Sequence, residues 1–210
     1  MTSGIKARMI DGDKSGTEYT YSVKEYADYL LEHAGEREDL TKAVPLVKAM
    51  LNYGAYAQIY FDKNTDMPAN SGLEAADKEL GEVNITAPDT AFELPEGVTF
   101  EGASLSLKSE TTLSLYFKSS KALTFSVDGK TVETTAGGGY HVARIRGIPA
   151  KELQNSFTLD LTAGTAGGSA TYSPMNYCYK VLTGGTESES LINAVKALYL
   201  YSQAAKRYFA

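Results

Sequence analysis

The spacing of apolar residues changes period along this chain, and that change limits what it can fold into. Near the N-terminus Val23, Tyr26, Ala27, Leu30 and Leu31 fall one helical turn apart, and Val47, Met50, Leu51, Gly54, Ala57 and Phe61 continue the same rhythm. Near the C-terminus the spacing returns in Pro174, Tyr177, Cys178, Val181 and Leu182, then in Val195, Leu198, Tyr199, Ser202, Ala205 and Phe209. Between these regions the period is two. Leu105 and Leu107, Leu113, Leu115 and Phe117, and Leu123, Phe125 and Val127 alternate with polar residues, as do Tyr140, Val142 and Ile145, and Phe157, Leu159 and Leu161. A stripe of period 3.6 buries itself only as a helix and a stripe of period two only as a strand. The chain is therefore predicted to be α+β, with its helices and its sheet drawn from separate stretches.

The two helical regions also resemble each other. Thr20-Tyr21-Ser22-Val23-Lys24-Glu25-Tyr26 recurs as Thr171-Tyr172-Ser173-Pro174-Met175-Asn176-Tyr177, and Val47-Lys48-Ala49-Met50 as Val195-Lys196-Ala197-Leu198. Helix starts are marked by Ser22 with Glu25, a capping box, by Ser173 before a first-turn proline, and by Thr186 with Glu189. Small residues one turn apart, Gly54 with Ala57 and Ser202 with Ala205, point to a close backbone crossing. Four apolar stripes of this kind are predicted to bury one another, two duplicated helix pairs packing together as a four-helix assembly.

The alternating stretch predicts an antiparallel, immunoglobulin-like β-sandwich of six or seven short strands, with turns at Asp128-Gly129 and Gly137-Gly138-Gly139. The expected organisation is a β-hairpin plus first helix pair over 1–66, a polar connector over 67–97 with a short helix at Leu73–Leu80, the sandwich over 98–172, and a second helix pair over 173–210 that packs back on the first. The N-terminal hairpin, Ile5–Ile10 with Thr17–Tyr21, matches the last hairpin of the sandwich. It reads as the tail of a preceding unit.

Tyr21–Tyr26, Leu46–Phe61, Thr99–Leu105, Tyr172-Ser173-Pro174 and Val195–Tyr199 together resemble a repeated module of large modular cell-surface proteins from anaerobic Gram-positive gut bacteria. The likeness runs over nearly the whole chain from Ile5. It implies an extracellular or cell-surface location as part of a larger protein, and it carries no catalytic residues. Some such surface proteins bind host immunoglobulin, so the resemblance implies a host or surface protein as partner, immunoglobulin included.

Charge and chemistry narrow the function further. The chain has 20 Lys and Arg against 26 Asp and Glu, a net charge of −6, with the basic residues scattered singly. Nucleic acid and anionic membranes call for clustered positive charge, so neither is an expected partner. No apolar stretch is long enough to span a bilayer, and Met1–Gly4 has no secretory-signal pattern. With 2 His and 1 Cys, no multi-histidine or cysteine metal site can form, and no cofactor is expected. Asp11, Asp13 and Ser15 begin like a calcium loop, but Ser22 stands where the bidentate Glu belongs, so a turn is the better reading. Asp62, Asn64 and Asp66 read as a capped helix end. Glu36, Glu38 and Asp39 read as solvated charge in a loop, without the cleft that glycoside hydrolysis needs. A non-catalytic binding module is the expected function, protein-binding first, with carbohydrate binding or a passive spacer as alternatives. The 15 Tyr, 7 Phe and no Trp favour a protein partner over a glycan. Tyr26, Tyr53, Tyr60, Tyr177, Tyr201 and Tyr208 are expected to pack helices, leaving Tyr19, Tyr29, Tyr56, Tyr116, Tyr140 and Tyr179 as the candidate binding residues.

Cys178 could act as a nucleophile with His141 as base, but it falls where the N-terminal helix has Ala27, in an apolar stripe. A core thiol is the expected role. Cys178→Ala should lower unfolding stability by only about 1 kcal/mol, as measured in denaturant, and should leave any binding activity intact.

Overall fold

The structure is a computed structural model, and it describes residues 1–107 and 110–210. Strands β1 (Ile5–Asp11) and β2 (Lys14–Tyr21) precede helix α1 (Val23–Glu32), helix α2 (Glu38–Tyr60) and the single turn α3 (Ala75–Lys78). Strands β3 (Ala91–Glu93), β4 (Thr99–Leu107), β5 (Thr111–Lys118), β6 (Leu123–Val127), β7 (Lys130–Thr131), β8 (Glu133–Gly137) and β9 (Tyr140–Ile145) follow. After a 3-10 turn at Ala150–Glu152 come β10 (Phe157–Ala163), β11 (Ala166–Tyr172), α4 (Met175–Gly184) and α5 (Glu189–Tyr208). The described residues thus form eleven strands in three antiparallel sheets, with five α-helices. They divide into two compact units, Met1–Val83 with Glu187–Ala210, and Asn84–Thr186.

The first unit is built on α2. The short helix α1 is seated by the capping box its sequence announces, with Ser22 N–H donating to Glu25 Oε2 at 2.6 Å and Glu25 N–H to Ser22 Oγ at 3.1 Å. Ala27 on α1 joins Ala43, Val47 and Leu51 on α2 and Leu73 in one apolar cluster, with Leu30, Leu31 and Met50 packed against it. α5 runs along another side of α2, where Tyr53 and Tyr201 stack with ring centroids 5.8 Å apart. The polar connector is fastened to a third side by hydrogen bonds. Asn52 donates to the Asp77 carbonyl at 2.6 Å and accepts from Asn70 Nδ2 at 2.9 Å, and the Tyr56 hydroxyl donates to the Lys78 carbonyl at 3.2 Å. Gln58 donates to the carbonyls of Asn64 and Met67 and accepts from Ala69 N–H. A side chain at Gly54 would meet Ala69 Cβ at 2.9 Å, so this glycine admits the connector. The helix expected at Leu73–Leu80 shrinks to one turn, α3, because these backbone groups are held by α2 instead of by each other.

α2 ends with Asp62 at φ +50°, its N–H donating to the Ile59 carbonyl and Lys63 N–H to the Gln58 carbonyl, the paired bonds of a left-handed helix stop. That accounts for the Asp62–Asp66 triplet. The start of α5 lies two residues beyond the expected cap: Ser188, not Thr186, accepts from Leu191 N–H.

The second unit is a sandwich of a five-stranded sheet, ordered β3-β11-β10-β6-β7, and a four-stranded sheet, ordered β4-β5-β9-β8. An aromatic chain joins them. Phe92 stacks on Phe100 at 4.4 Å, Phe100 lies 5.6 Å from Phe117, and Phe117 lies 5.2 Å from Phe125. Leu113, Leu115, Leu159, Leu161 and Ala170 close the core around it. The Asp128-Gly129 and Gly138-Gly139 turns both hold paired positive φ, as two-residue hairpins require. In β9 Ile145 is buried as expected, but at the start of the strand the faces are exchanged: His141 and Ala143 are buried, Val142 is half-buried and Tyr140 is exposed.

The expected assembly of two duplicated helix pairs does not occur. Hairpin, short helix and long helix do follow one another at both ends of the chain, yet the helices are not grouped as two such pairs. α4 belongs to the sandwich unit and touches β4, whereas α5 belongs to the first unit and lies on α2. Two residues separate β11 from α4, and the α4 stripe of Met175, Cys178 and Val181 is buried. Gly185, at φ +69°, ends α4 and frees the chain to return. A helical stripe records that a face needs cover and is silent about which element covers it. The stripes are also narrower than expected, since Val23, Tyr26, Phe61 and Phe209 are exposed and Met50 is half-buried.

Leu198 is 2 % exposed in α5. Leu198→Ala should cost about 2–5 kcal/mol in urea unfolding. Met50→Ala, at a half-buried position, should cost clearly less.

Candidate functional site

α1 has two faces. Ala27, Leu30 and Leu31 turn into the cluster on α2, and Tyr26, Tyr29 and His33, at i, i+3 and i+7, share the other side. Tyr26 is 52 % exposed and Tyr29 is 49 % exposed. The His33 ring stacks on Tyr29 with centroids 4.1 Å apart, and its Nδ1–H donates to the Tyr29 carbonyl at 2.9 Å. Arg37, just before α2, donates from Nε and Nη2 to the two Asp39 carboxylate oxygens at 3.0 and 2.6 Å. The hydrogen bond to Asp39 raises the Arg37 pKa most, and the nearby Tyr29 and Tyr26 hydroxyls add to it. The same bond holds the Asp39 carboxyl below its usual range. The outcome is an exposed patch of two tyrosines, a histidine and a fixed guanidinium. Stacking orients Tyr29 and His33 against each other, and the solvent-exposed Arg37–Asp39 pair adds a weaker restraint on the guanidinium. Glu38 and Asp39, expected in a loop, form the first turn of α2, where carboxylates complement the helix dipole.

The sequence-predicted tyrosines are not brought together. Tyr19 is 70 % exposed on β2, and Tyr29 lies in the α1 patch. Tyr56 is spent on the connector through its bond to Lys78. Tyr116 is half-buried on β5 with its hydroxyl 3.0 Å from Ser104 Oγ, and Tyr179 is half-buried on α4. Tyr140 is exposed with the Lys118 ammonium 5.8 Å above its ring. It follows Gly139, which lines a shallow cleft of about 360 Å3 with Gly97, Thr99, Lys118, Ser119 and Ser120.

Sequence reasoning placed Tyr26 in the core, read His33 only as an imidazole at the C-terminal end of the first helix, and passed over Arg37. The helical wheel held the missing signal, because Tyr26 projects to the side of Tyr29 and not to that of Ala27. Tyr60 and Tyr208, also expected to pack helices, are exposed at the helix ends beside Phe61 and Phe209. A second cleft, of about 340 Å3, lies between α2 and α5 and is lined by Lys42, Pro45, Leu46, Ala204, Arg207 and Tyr208. Its Lys42 is already paired with Glu38 at 2.7 Å.

Asp11 and Ser15 lie on β1 and β2, flanking the two-residue turn Gly12-Asp13, with all three calcium candidates exposed. Among the described residues no three His, Cys, Asp or Glu side chains gather as metal ligands. Glu110 and Glu133 converge, but on Arg146, which binds them at 2.9 and 2.6 Å. That hydrogen bonding keeps the Glu133 carboxyl below its usual range, the reverse of what a general acid needs. No described helix is long and apolar enough to cross a membrane.

Cys178 is wholly buried, and burial pushes its thiol up to about 12, far from the thiolate that nucleophilic chemistry uses. Alkylation of the native protein at pH 8 should therefore be slow and should accelerate only through the urea unfolding transition; fast native labelling would refute a core thiol. Protein-family models, curated proteins and solved structures were all compared with the chain, and none matches.

Proposed function

We propose that this chain is a non-catalytic, protein-binding module of a bacterial surface protein, and that it engages its partner through the exposed face of α1. The observation carrying this reading is the ordered patch of Tyr26, Tyr29, His33 and Arg37. Tyrosine and arginine dominate the energetics of protein interfaces because they combine large contact area with directional hydrogen bonds. The resemblance to modules of gut-bacterial surface proteins makes a host glycoprotein or immunoglobulin the partner to test first, and an extracellular setting within a larger protein the natural context. Acidic net charge and scattered cations leave the patch as a local feature instead of part of a polyanion track.

A carbohydrate ligand is the second reading. It is favoured by Tyr140 beside a cleft with the hydroxyls of Thr99, Ser119 and Ser120. An aromatic ring next to several hydroxyls suits one sugar, although tyrosine offers less stacking area than tryptophan.

Immobilised host serum and mucosal immunoglobulins, and mucosal glycoproteins, are the surfaces to probe by plasmon resonance. Tyr29→Ala and Tyr26→Ala should each weaken a bound partner by about thirtyfold, the scale of a 2 kcal/mol hot spot. Tyr140→Ala should leave that affinity unchanged. Binding that survives both α1 variants and disappears in Tyr140→Ala would transfer the site to the sandwich cleft and its glycan reading.

A further inference from the structure

The hairpin β1–β2 has one apolar face, and among the described residues that face is exposed. Ile5 pairs across the hairpin with Tyr21, and Ala7 with Tyr19. Met9 follows on the same side. Ile5 is 67 % exposed, Met9 80 %, Tyr19 70 % and Tyr21 50 %. The opposite face is mostly polar, with Lys6 bonded to Glu18 at 2.9 Å and Ile10 its large apolar residue. Both outer edges are unpaired, since β1 and β2 form a sheet of their own. A lone two-stranded hairpin is marginal in water, and a chain of mixed polarity seldom spends large side chains on an open face.

The same chain shows what covers such a hairpin. β10–β11 also ends in Tyr-Ser before a short helix, and its cross-strand pairs stand in the same places: Phe157 with Tyr172, and Leu159 with Ala170. The large and small partners are exchanged relative to Ala7 with Tyr19, so the two hairpins present similar volume. Leu161 stands where Met9 does along the first strand, although β1–β2 has a bulge at that point and β10–β11 keeps its register. In β10–β11 this face is buried, with Leu159 at 0 %, Leu161 at 2 % and Ala170 at 0 % exposed. One edge pairs with β6 and the other with β3.

We propose that β1–β2 is a closing hairpin, and that its partner is an antiparallel β-sandwich lacking its last two strands, of the kind that β3–β9 would be without β10–β11. Pairing at both edges would continue the partner's sheet, while the apolar face would seal its core. A second copy of this chain does not fit that role, because its own β10–β11 already fills the place. Nor does simple back-to-back pairing of two hairpins suffice. The four large side chains present on the order of 500 Å2, below the ~800 Å2 per partner of a standard interface. Edge pairing has to supply the rest.

The probe is this chain's own sandwich strands, residues 84–156, joined ahead of Ile5 in the full chain so that β1–β2 follows them as β10–β11 does in place. Hydrogen exchange of the β1–β2 amides should slow at least about a hundredfold relative to the unextended chain. Met9→Lys with Tyr19→Lys should abolish the gain, and Lys6→Ala on the opposite face should keep it. Unchanged exchange would overturn the proposal. As a second arm, Ile5–Tyr21 replaces Phe157–Tyr172 inside the chain's own sandwich; a retained, dispersed β-sheet amide spectrum supports the proposal and collapse of that spectrum overturns it. A concentration-dependent dimer of the unextended chain that Met9→Lys dissolves would also overturn it, in favour of self-pairing. Neither arm touches Tyr26 or Tyr29, so failure here is separate from failure of the binding reading.

Discussion

Everything in the first unit depends on α2 being usable from three sides. Its apolar stripe of Ala43, Val47 and Leu51 receives α1, Tyr53 meets Tyr201 of α5, and Asn52, Tyr56 and Gln58 hold the connector by hydrogen bonds. Asn52 is 6 % exposed and satisfied at both ends of its amide. A buried amide in that state fixes its neighbours in one arrangement, because any other leaves a donor or an acceptor unpaired. The α1 patch inherits this rigidity. Once Ala27, Leu30 and Leu31 are locked against α2, helical geometry alone turns Tyr26, Tyr29 and His33 outward.

The division of labour between the two units follows from how each buries its surface. The sandwich closes through large aromatic rings that bridge strands far apart in sequence, Phe92 to Phe100 and Phe117 to Phe125. The helical unit buries many small residues at its contacts, Ala27, Ala43, Ala197, Ser202 and Ala205, beside aliphatic Val47, Leu51 and Leu198, so its backbones approach closely and it needs few aromatic rings in its core. Its exposed aromatics lie on β2 as well as on the helices. Aromatic residues that the sandwich consumes in its core are, in the helical unit, free for contact with something else.

Much of the architecture could be read from residue spacing, and the failures have physical reasons. The capping box at Ser22, the turns at Asp128-Gly129 and Gly138-Gly139, and the strands around Leu113–Phe117 are local signals, set by chemistry within a few residues. The partner of each helix is not local. α4 and α5 carry stripes that four helices could share, but α4 stays with the sandwich and α5 goes to α2, a choice that no stripe records. β9 misled for a related cause: Tyr140 and Val142 are the more apolar residues, yet the space between the sheets takes His141 and Ala143 and leaves Tyr140 outside. For the candidate site, exposure was misjudged at Tyr26 because a recurring tyrosine looked like a packing residue. Tyr56 erred in the other direction, its hydroxyl being committed to a backbone carbonyl that composition cannot reveal.

The first unit is assembled from both ends of the chain, and this has a consequence for synthesis. α2 ends at Tyr60 and α5 begins at Glu189. A ribosome adding 5–20 residues per second needs on the order of ten seconds to pass from one to the other. Through that interval the side of α2 that holds Tyr53 waits without its helical partner while the whole sandwich emerges. The sandwich is continuous in sequence and can close as soon as β11 is made. The nascent chain is thus expected to carry a finished sheet domain and an unfinished helical one. Premature termination after Tyr172 but before Leu198 would release a protein whose sheets are complete and whose longest helix exposes apolar surface to chaperones and proteases.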